Sequence, residues 1–242
     1  MAAEVGSAGG VPLPGSSGRG PSVRAMFDRI APSYDLLNRV MTLRVDQRWR
    51  RRLARELGLA RGERLLDLCA GTMDVAAEVK KRAPGARVVA ADFSFAMLSR
   101  GAAKTLLPAA QADALSLPFP DGAFQAAAVA FGVRNLDSLE RGLSELARIL
   151  CPGGRLGVLE FFRPESKSSR LVHGAYNRLA LPVLGRLFSP DPSAYRYLVA
   201  SMERFVSRVE FEEACRRAGF SELKGETLFP GVCGLVLAVK TV

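Results

Sequence analysis

Short apolar runs alternate with helical stretches through the middle of the chain. The segments between the runs have the apolar spacing of helices, and the runs themselves have the length of buried strands. The predicted strands cover residues 64–69, 87–92, 109–113, 124–131 and 155–162. Such alternation predicts a parallel sheet with helices on both faces, and ligands of such sheets bind at the carboxyl ends of the strands.

The C-terminal part of the chain predicts a different pairing. Residues 222–229 and 235–240 have strand character and meet through the Pro230-Gly231 turn. A turn that short requires antiparallel pairing. The predicted fold is therefore an α/β fold with a mostly parallel seven-stranded sheet that ends in an antiparallel hairpin. This pattern resembles the Rossmann-like S-adenosylmethionine-dependent methyltransferases.

The chain divides into a tail and one domain. Residues 1–22 include six Gly, four Ser and three Pro, a composition that buries too little apolar surface to offset the entropy of ordering. We expect a disordered tail over 1–22 and a single domain over 23–242. That domain begins with a helical segment (23–60) and contains a helical insertion at about 166–206.

Positive charge is concentrated near the N-terminus. The chain has a formal charge of +10, and residues 24–64 hold eleven Arg against five acids, a net +6. This excess predicts either a solvated helix face or a surface for an anionic membrane. Six of these arginines are predicted on the outer faces of one helix: Arg44, Arg48, Arg50, Arg51, Arg52 and Arg55.

Several classes of protein are disfavoured by composition. No uncharged apolar run reaches the eighteen residues of a membrane-spanning helix, and no secretory signal follows Met1. The four cysteines form no CxxC pair and there is one histidine, so we expect no metal site. These features predict a cytoplasmic protein with reduced thiols, peripherally associated with a membrane.

Two residues at predicted strand ends indicate a nucleoside ligand. Gly71 lies in the turn after the first strand, where it lets backbone approach a ligand. Asp92 ends the second strand, 21 residues later, and can accept hydrogen bonds from both ribose hydroxyls. The loop has one glycine and lacks GxGxxG, which disfavours a pyrophosphate and favours S-adenosyl-L-methionine.

A segment after the third strand supports this cofactor. Asp113 and Ala114 begin the run D-A-x-x-L-P-F-P-D-x-x-F, which resembles a segment widespread in S-adenosylmethionine-dependent methyltransferases. The resemblance implies that both residues lie against the adenine.

A narrower resemblance covers residues from Met26 to the C-terminus. The chain is similar to the C-methyltransferases of menaquinone and ubiquinone biosynthesis in a series of motifs that occur in the same order. They are MFDRIAPSYDLLNRVM at 26–41, VDQRWRR at 45–51, DLCAGT at 67–72, DFSFAML at 92–98, FGVRN at 131–135, LEF at 159–161 and YRYL at 195–198.

The resemblance implies S-adenosylmethionine-dependent methylation of a ring carbon, converting demethylmenaquinol to menaquinol. It leaves open the benzoquinol of the ubiquinone pathway and a non-catalytic cofactor-binding paralogue. The implied partners are a polyprenyl naphthoquinol and an anionic membrane, and a homo-oligomer is compatible with the sequence. A nucleic-acid methyltransferase is disfavoured, because FGVRN at 131–135 is a poor match to the Asn/Asp-Pro-Pro-aromatic motif of those enzymes.

The resemblance also implies roles for individual residues. In the implied reaction Arg134 stabilises a developing phenolate, and Asn135 orients the ring hydroxyl or a water. Tyr34 closes over the site and orients substrate or cofactor, and Glu160 is the candidate general base. The candidate cofactor residues are Gly71, Thr72, Asp92, Asp113, Ala114 and Ala130.

Two positions depart from the family pattern. Met73 replaces the second glycine of Gly-Thr-Gly-Asp, and a left-handed backbone there costs about 1–2 kcal/mol for a non-glycine residue. Ala130 stands where some members have serine, which removes one side-chain contact to the cofactor.

Overall fold

A seven-stranded sheet forms the centre of the structure. The computed structural model describes residues 7–8, 11–12, 18–165, 170–171, 174 and 192–241. Two short paired segments, β1 (Ser7–Ala8) and β2 (Val11–Pro12), precede the main sheet. Its strands are β3 (Arg64–Leu68), β4 (Arg87–Asp92), β5 (Ala109–Gln111), β6 (Phe124–Ala130), β7 (Leu150–Glu160), β8 (Phe220–Leu228) and β9 (Cys233–Lys240).

The order across this sheet is β5–β4–β3–β6–β7–β9–β8. The first five strands in that order are parallel, whereas β9 runs antiparallel to both β7 and β8. The predicted fold class, including the antiparallel hairpin, is confirmed. Strand β7 begins at Leu150, five residues before the predicted strand at 155–162.

Helices cover both faces of the sheet. They are α1 (Gly20–Ile30), α2 (Tyr34–Met41), α3 (Val45–Glu56), α4 (Asp74–Arg82), α5 (Phe95–Ala102), α6 (Leu139–Ile149), α7 (Pro192–Arg204) and α8 (Arg208–Arg217), with a 3-10 turn at Val133–Asn135. One buried cluster packs α6 and α8 on the sheet, and another packs α3 and α4 on it. Strand β6 contributes to both clusters through alanines that are fully buried at 126–128.

The N-terminal segment is built differently from the sequence prediction. Helix α1 begins at Gly20, and Arg19 before it is buried, so order begins before the predicted boundary at residue 23. The predicted helical segment at 23–60 contains three separate helices, with breaks around Pro32 and at Leu43-Arg44. Both Leu43 (φ 50°) and Arg44 (φ 62°) have left-handed backbone, which stops a helix. Most of the predicted insertion at 166–206, including His173, lies outside the described residues.

Strands β3 and β6 are neighbours at the centre of the sheet, where the strand order reverses. The connections that follow these two strands lead to opposite sides and leave a crevice between them. Cys69 (φ 55°) follows β3, and Phe131 (φ 61°) follows β6. The two loops pass closely, because a Cβ on Gly132 would lie 2.3 Å from Cys69 Cβ. Glycine is therefore required at position 132.

Met73 has the left-handed backbone that glycine would favour, with φ 64°. Its side chain is fully buried and points to α5, where a Cβ on Gly101 would lie 2.5 Å from both Met73 Cγ and Met73 Sδ. Gly101 thus leaves room for the methionine. The unusual residue fills the core and does not line the large cavity described below.

We expect Met73→Gly to lower the free energy of unfolding. Removing a buried methionine costs about 2–5 kcal/mol, which exceeds the roughly 1–2 kcal/mol of backbone strain that glycine relieves. Gly101→Ala should destabilise the native protein and be tolerated better in the Met73→Gly background, with a coupling energy of about 0.5–3 kcal/mol. Urea denaturation of the four proteins tests this, and additive effects would contradict the proposed packing.

Candidate active site

A large cavity lies at the carboxyl ends of the central strands. Its volume is about 700 Å³, and it extends from the loops after β3, β4 and β6 to helix α1, which forms its cover. Of the residues predicted to bind cofactor, Gly71, Asp92, Asp113, Ala114 and Ala130 all line it. Thr72 does not, because its hydroxyl donates a 2.5 Å hydrogen bond to Asp35 Oδ1 on the other side of the loop.

Asp92 holds the two loops that border the cavity. Its Oδ2 accepts a 2.8 Å hydrogen bond from the Gly71 amide, and its Oδ1 accepts one of 2.8 Å from the Ser94 amide. Each oxygen keeps a further lone pair for a ligand. Burial raises the pKa of Asp92 to about 6, although these amide donors oppose the shift.

The lining of this cavity is acidic. Asp28, Asp92, Asp113 and Asp137 border it, against the single cationic side chain of Arg24 among the described residues. Asp28, on α1, also accepts a 2.5 Å hydrogen bond from Ser94 Oγ, which ties the cover to α5. An acidic cavity suits a cationic ligand and disfavours a phosphate, so the residues fit the sulfonium and ammonium groups of S-adenosylmethionine.

Asp67 contributes to the loop after β3 without facing this cavity. Its Oδ2 accepts a 2.9 Å hydrogen bond from the Ala76 amide, which fixes the first turn of α4. Burial raises the pKa of Asp67 to about 7. The Asp67 side chain therefore anchors the loop after β3 to the start of α4.

A smaller cavity of about 70 Å³ adjoins the first. It lies between α1, α2, α3 and α7, and its walls are mostly apolar. Three aromatic residues line both cavities, namely Phe27, Tyr34 and Phe131. The other walls come from Met26, Ile30, Leu37, Asn38, Met41, Thr42, Asp46, Arg50, Arg134, Phe161, Ala194, Tyr197 and Leu198.

Arg134 reaches this smaller cavity from a buried ion pair. Its Nη1 lies 2.5 Å from Glu160 Oε1 and donates a 2.8 Å hydrogen bond to the Phe131 carbonyl. The Arg134 amide donates to Glu160 Oε2 at 3.3 Å, and the Phe161 amide donates to Glu160 Oε1 at 2.8 Å. The guanidinium also lies over the Phe161 ring, 5.7 Å from its centroid.

This geometry does not support Glu160 as the general base. The side chain is fully buried, and its oxygens accept hydrogen bonds from Arg134 and Phe161. Burial raises the pKa of Glu160, while the Arg134 guanidinium acts in the opposite direction. Glu160 instead pairs with the buried guanidinium of Arg134 and holds it in place.

Asn135 and Tyr34 lie where the two cavities approach each other. Asn135 lines the larger cavity, and its Oδ1 accepts a 3.1 Å hydrogen bond from the buried Tyr197 hydroxyl. Tyr34 lines both cavities, and burial raises its pKa while Arg50 and Arg134 oppose that rise. The structure therefore brings Tyr34, Arg134 and Asn135 together at one place.

Sequence reasoning missed Arg50 and Tyr197. We had predicted Arg50 on an outer helix face, but it is buried and paired with Asp46 in the wall of the smaller cavity. The i, i+4 spacing of Asp46 and Arg50 beside the apolar Trp49 was the available signal. Tyr197 was part of a family motif without an assigned role.

Comparison with known proteins identifies the family. The model of the ubiE/COQ5 methyltransferase family matches residues 16–240. The chain belongs to the ubiE/COQ5 methyltransferase family. It is 47% identical to a demethylmenaquinone methyltransferase of Thermus thermophilus, over 87% of this chain and 97% of the relative. It is 43% identical to a ubiquinone/menaquinone biosynthesis C-methyltransferase of Syntrophotalea carbinolica, over 89% and 93%.

Solved structures agree with the fold. The [4+2]-cyclase SpnF superposes with a TM-score of 0.71 at 19% identity, over 96% of this chain and 99% of that one. A S-adenosylmethionine-dependent methyltransferase of Thermotoga maritima, a possible histamine N-methyltransferase, superposes with a TM-score of 0.64 at 23% identity, over 90% and 99%. Family membership confirms the predicted resemblance, the methyltransferase class and the S-adenosylmethionine cofactor.

The described residues contain neither a membrane-spanning helix nor a cluster of metal ligands. No described helix has the length and apolar character needed to cross a membrane. In the same part of the chain, no three His, Cys, Asp or Glu side chains come together as a metal site would require.

We expect cofactor affinity to fall as the pH drops below about 6, the pKa of Asp92. Ribose hydroxyls donate to the ionised carboxylate, so protonation removes an acceptor and affinity declines by up to about tenfold per pH unit. Calorimetry between pH 5 and 8 measures this. Asp92→Asn should weaken binding by roughly 1.5–3 kcal/mol at pH 7.5 and flatten the profile.

Asp67→Asn is the matched control for this series, since Asp67 also has a raised pKa but anchors α4. Its profile should keep the fall near pH 6. A fall that persists in Asp92→Asn would show that another group causes the pH dependence.

The Arg134–Glu160 pair gives a separate prediction on stability. Glu160→Leu leaves a buried guanidinium unpaired and should lower the free energy of unfolding by about 3–5 kcal/mol. Adding Arg134→Met should restore most of that loss without restoring methyl transfer. Denaturant unfolding and activity are measured on both variants. A Glu160→Leu protein with native stability and no activity would return Glu160 to the role of base.

Proposed function

We propose that this enzyme transfers a methyl group from S-adenosylmethionine to a ring carbon of demethylmenaquinol, giving menaquinol. One observation carries the proposal: an acidic cavity for the donor and an apolar, arginine-bearing cavity for a ring meet at Tyr34, Phe27 and Phe131. The names of the relatives support the quinol as acceptor.

The bound cofactor supplies an electrophilic methyl group on a sulfonium. The acceptor carbon must therefore be made nucleophilic. A phenol has a pKa of about 10, and loss of its proton to solvent places negative charge on the ortho carbon. Once that carbon is methylated, its own hydrogen leaves as a second proton to solvent and the ring regains its aromatic form. Arg134, held rigidly by Glu160, lowers the pKa of the quinol hydroxyl and stabilises the phenolate.

The neighbouring residues orient and shield the reacting groups. Tyr197 fixes the amide of Asn135, so that Asn135 Nδ2 faces the Phe131 carbonyl at 3.3 Å. The amide keeps one N–H and one lone pair with which it can orient the ring hydroxyl or a water. Tyr34 lies at the junction of the two cavities, and Asp92, in the wall of the larger one, holds the ribose.

Purified protein with labelled S-adenosylmethionine tests the proposal directly. Short-chain demethylmenaquinol and demethylubiquinol analogues are kept reduced and compared as acceptors. We expect transfer to the naphthoquinol to be abolished by Arg134→Met, which removes the cation that stabilises the phenolate. Preferred transfer to the benzoquinol would reassign the acceptor, and cofactor binding without transfer to either would favour the non-catalytic alternative.

The quinol carries a polyprenyl chain, so we also propose peripheral docking on an anionic membrane. Helix α3 has two faces: Asp46 and Arg50 face the cavity, while Arg44, Arg48 and Arg51 are exposed on the opposite side. Exposed Leu43, in the turn between α2 and α3, adds an apolar contact beside the cavity wall. Attraction of each arginine to such a surface is worth about 1 kcal/mol.

Arg52 is excluded from this surface, because it pairs with Glu56 at 2.9 Å and with Glu226 at 3.3 Å. The three exposed arginines remain, and together they supply roughly 2–4 kcal/mol of reversible attraction.

Reversing Arg44, Arg48 and Arg51 to Glu should lower activity on long-chain quinol in anionic vesicles and spare activity on a short-chain quinol. High salt should have the same effect on the unmodified enzyme, because charges are screened within about 10 Å at 0.1 M. The control reverses three exposed cations elsewhere, Lys81, Arg87 and Arg100, with the same change of net charge. Equal loss on both substrates, or loss in the control, would contradict the docking surface.

A further inference from the structure

Arg50 places a second buried guanidinium in the wall of the smaller cavity. It is 7% exposed and forms an ion pair with Asp46, whose Oδ1 accepts a 2.7 Å hydrogen bond from Thr42 Oγ1. Within the described part of the chain, the guanidinium bonds to Asp46 through Nη1. Its other N–H groups therefore remain available to a ligand in the smaller cavity, and Arg50 also borders a minor cavity lined by Asp67 and Asp74.

The energetics of this pair point to a ligand. A buried ion pair contributes little stability, and apolar side chains of similar size often serve as well or better. In this apolar wall the pair presents N–H donors with no net charge. Such a site recognises a neutral or partly ionised oxygen.

Arg50 and Arg134 lie against different members of an aromatic stack. Arg50 lies over the Phe131 ring at 5.4 Å, and Arg134 lies over the Phe161 ring at 5.7 Å. The two rings stack with centroids 4.9 Å apart. Both guanidiniums line the same cavity from separate positions, which suits a flat ligand with an oxygen at each end.

We propose that Arg50, held by Asp46, binds the second ring oxygen of the quinol, para to the hydroxyl that Arg134 activates. The proposal rests on the quinol function above and deepens it. With both oxygens held, the ring cannot rotate in the cavity, and one ortho carbon faces the methyl donor. Arg50 is thus a substrate-binding residue that sets which carbon reacts.

Binding of two paired ligands tests this. One is 1,4-naphthalenediol, with both oxygens, and the other is 1-naphthol, which lacks the second. Titrations are run under reducing conditions with S-adenosylhomocysteine present. Calorimetry gives the affinities, and Trp49 fluorescence reports the location. Trp49 is the chain's single tryptophan and lies 6.2 Å from the rings of both Phe131 and Phe161.

Arg50→Gln should weaken the diol by about 10- to 100-fold, as expected for a lost charge-assisted hydrogen bond, and 1-naphthol by less than about threefold. Arg50→Lys should recover part of the loss. Arg55→Gln, which removes the same charge from an exposed residue of the same helix, should leave both ligands unchanged.

Equal weakening of both ligands would assign Arg50 to packing of the cavity wall and overturn the proposal. Unchanged diol affinity would overturn it as well. The proposed function is judged separately, by methyl transfer from the unmodified enzyme to the naphthoquinol. An enzyme that methylates the quinol but binds the diol equally well after Arg50→Gln would retain the function and lose this inference.

Discussion

The buried pair of Arg134 and Glu160 holds the site together. Glu160 ends β7 and Arg134 follows β6, so the pair fixes the relative position of two strand ends. Ser201 on α7 lies 3.4 Å from Arg134 Nε, and Arg19, before α1, donates to the Arg134 carbonyl at 3.2 Å. Four separate segments thus meet at Arg134, and two of them, β7 and α7, contact its guanidinium. Because its partner is fully buried, that guanidinium has a single position from which to act.

The two cavities differ in charge in a way that suits methyl transfer. In the proposed reaction the donor is a cation held among carboxylates, whereas the acceptor develops negative charge beside Arg134 and Arg50. Charges fixed in this arrangement need no reorganisation during the reaction. Tyr34 and Phe131 line both cavities and separate the two environments.

Sequence reasoning predicted the parts of the structure that depend on local pattern. The parallel sheet and its antiparallel hairpin follow from alternation and from the short turn at Pro230-Gly231, and Asp92 and Gly71 lie at strand ends as expected. It failed where tertiary contacts decide. Glu160 was predicted as a free base because its partner, Arg134, follows a different strand and is distant in sequence. Arg50 was predicted on an outer helix face because charged side chains are mostly exposed to solvent. The break of one helical pattern into three depends on left-handed residues that no propensity indicates.

Cys69 lies in the wall of the donor cavity, where a thiol faces a potent alkylating group. Burial, together with the carboxylates of Asp92 and Asp67, raises the pKa of Cys69 well above its ordinary value. The thiolate is the reactive form of cysteine, so the protonated side chain is a poor nucleophile. Burial of this thiol beside the site proposed for the methyl donor therefore keeps it in the form that is least able to take the methyl group.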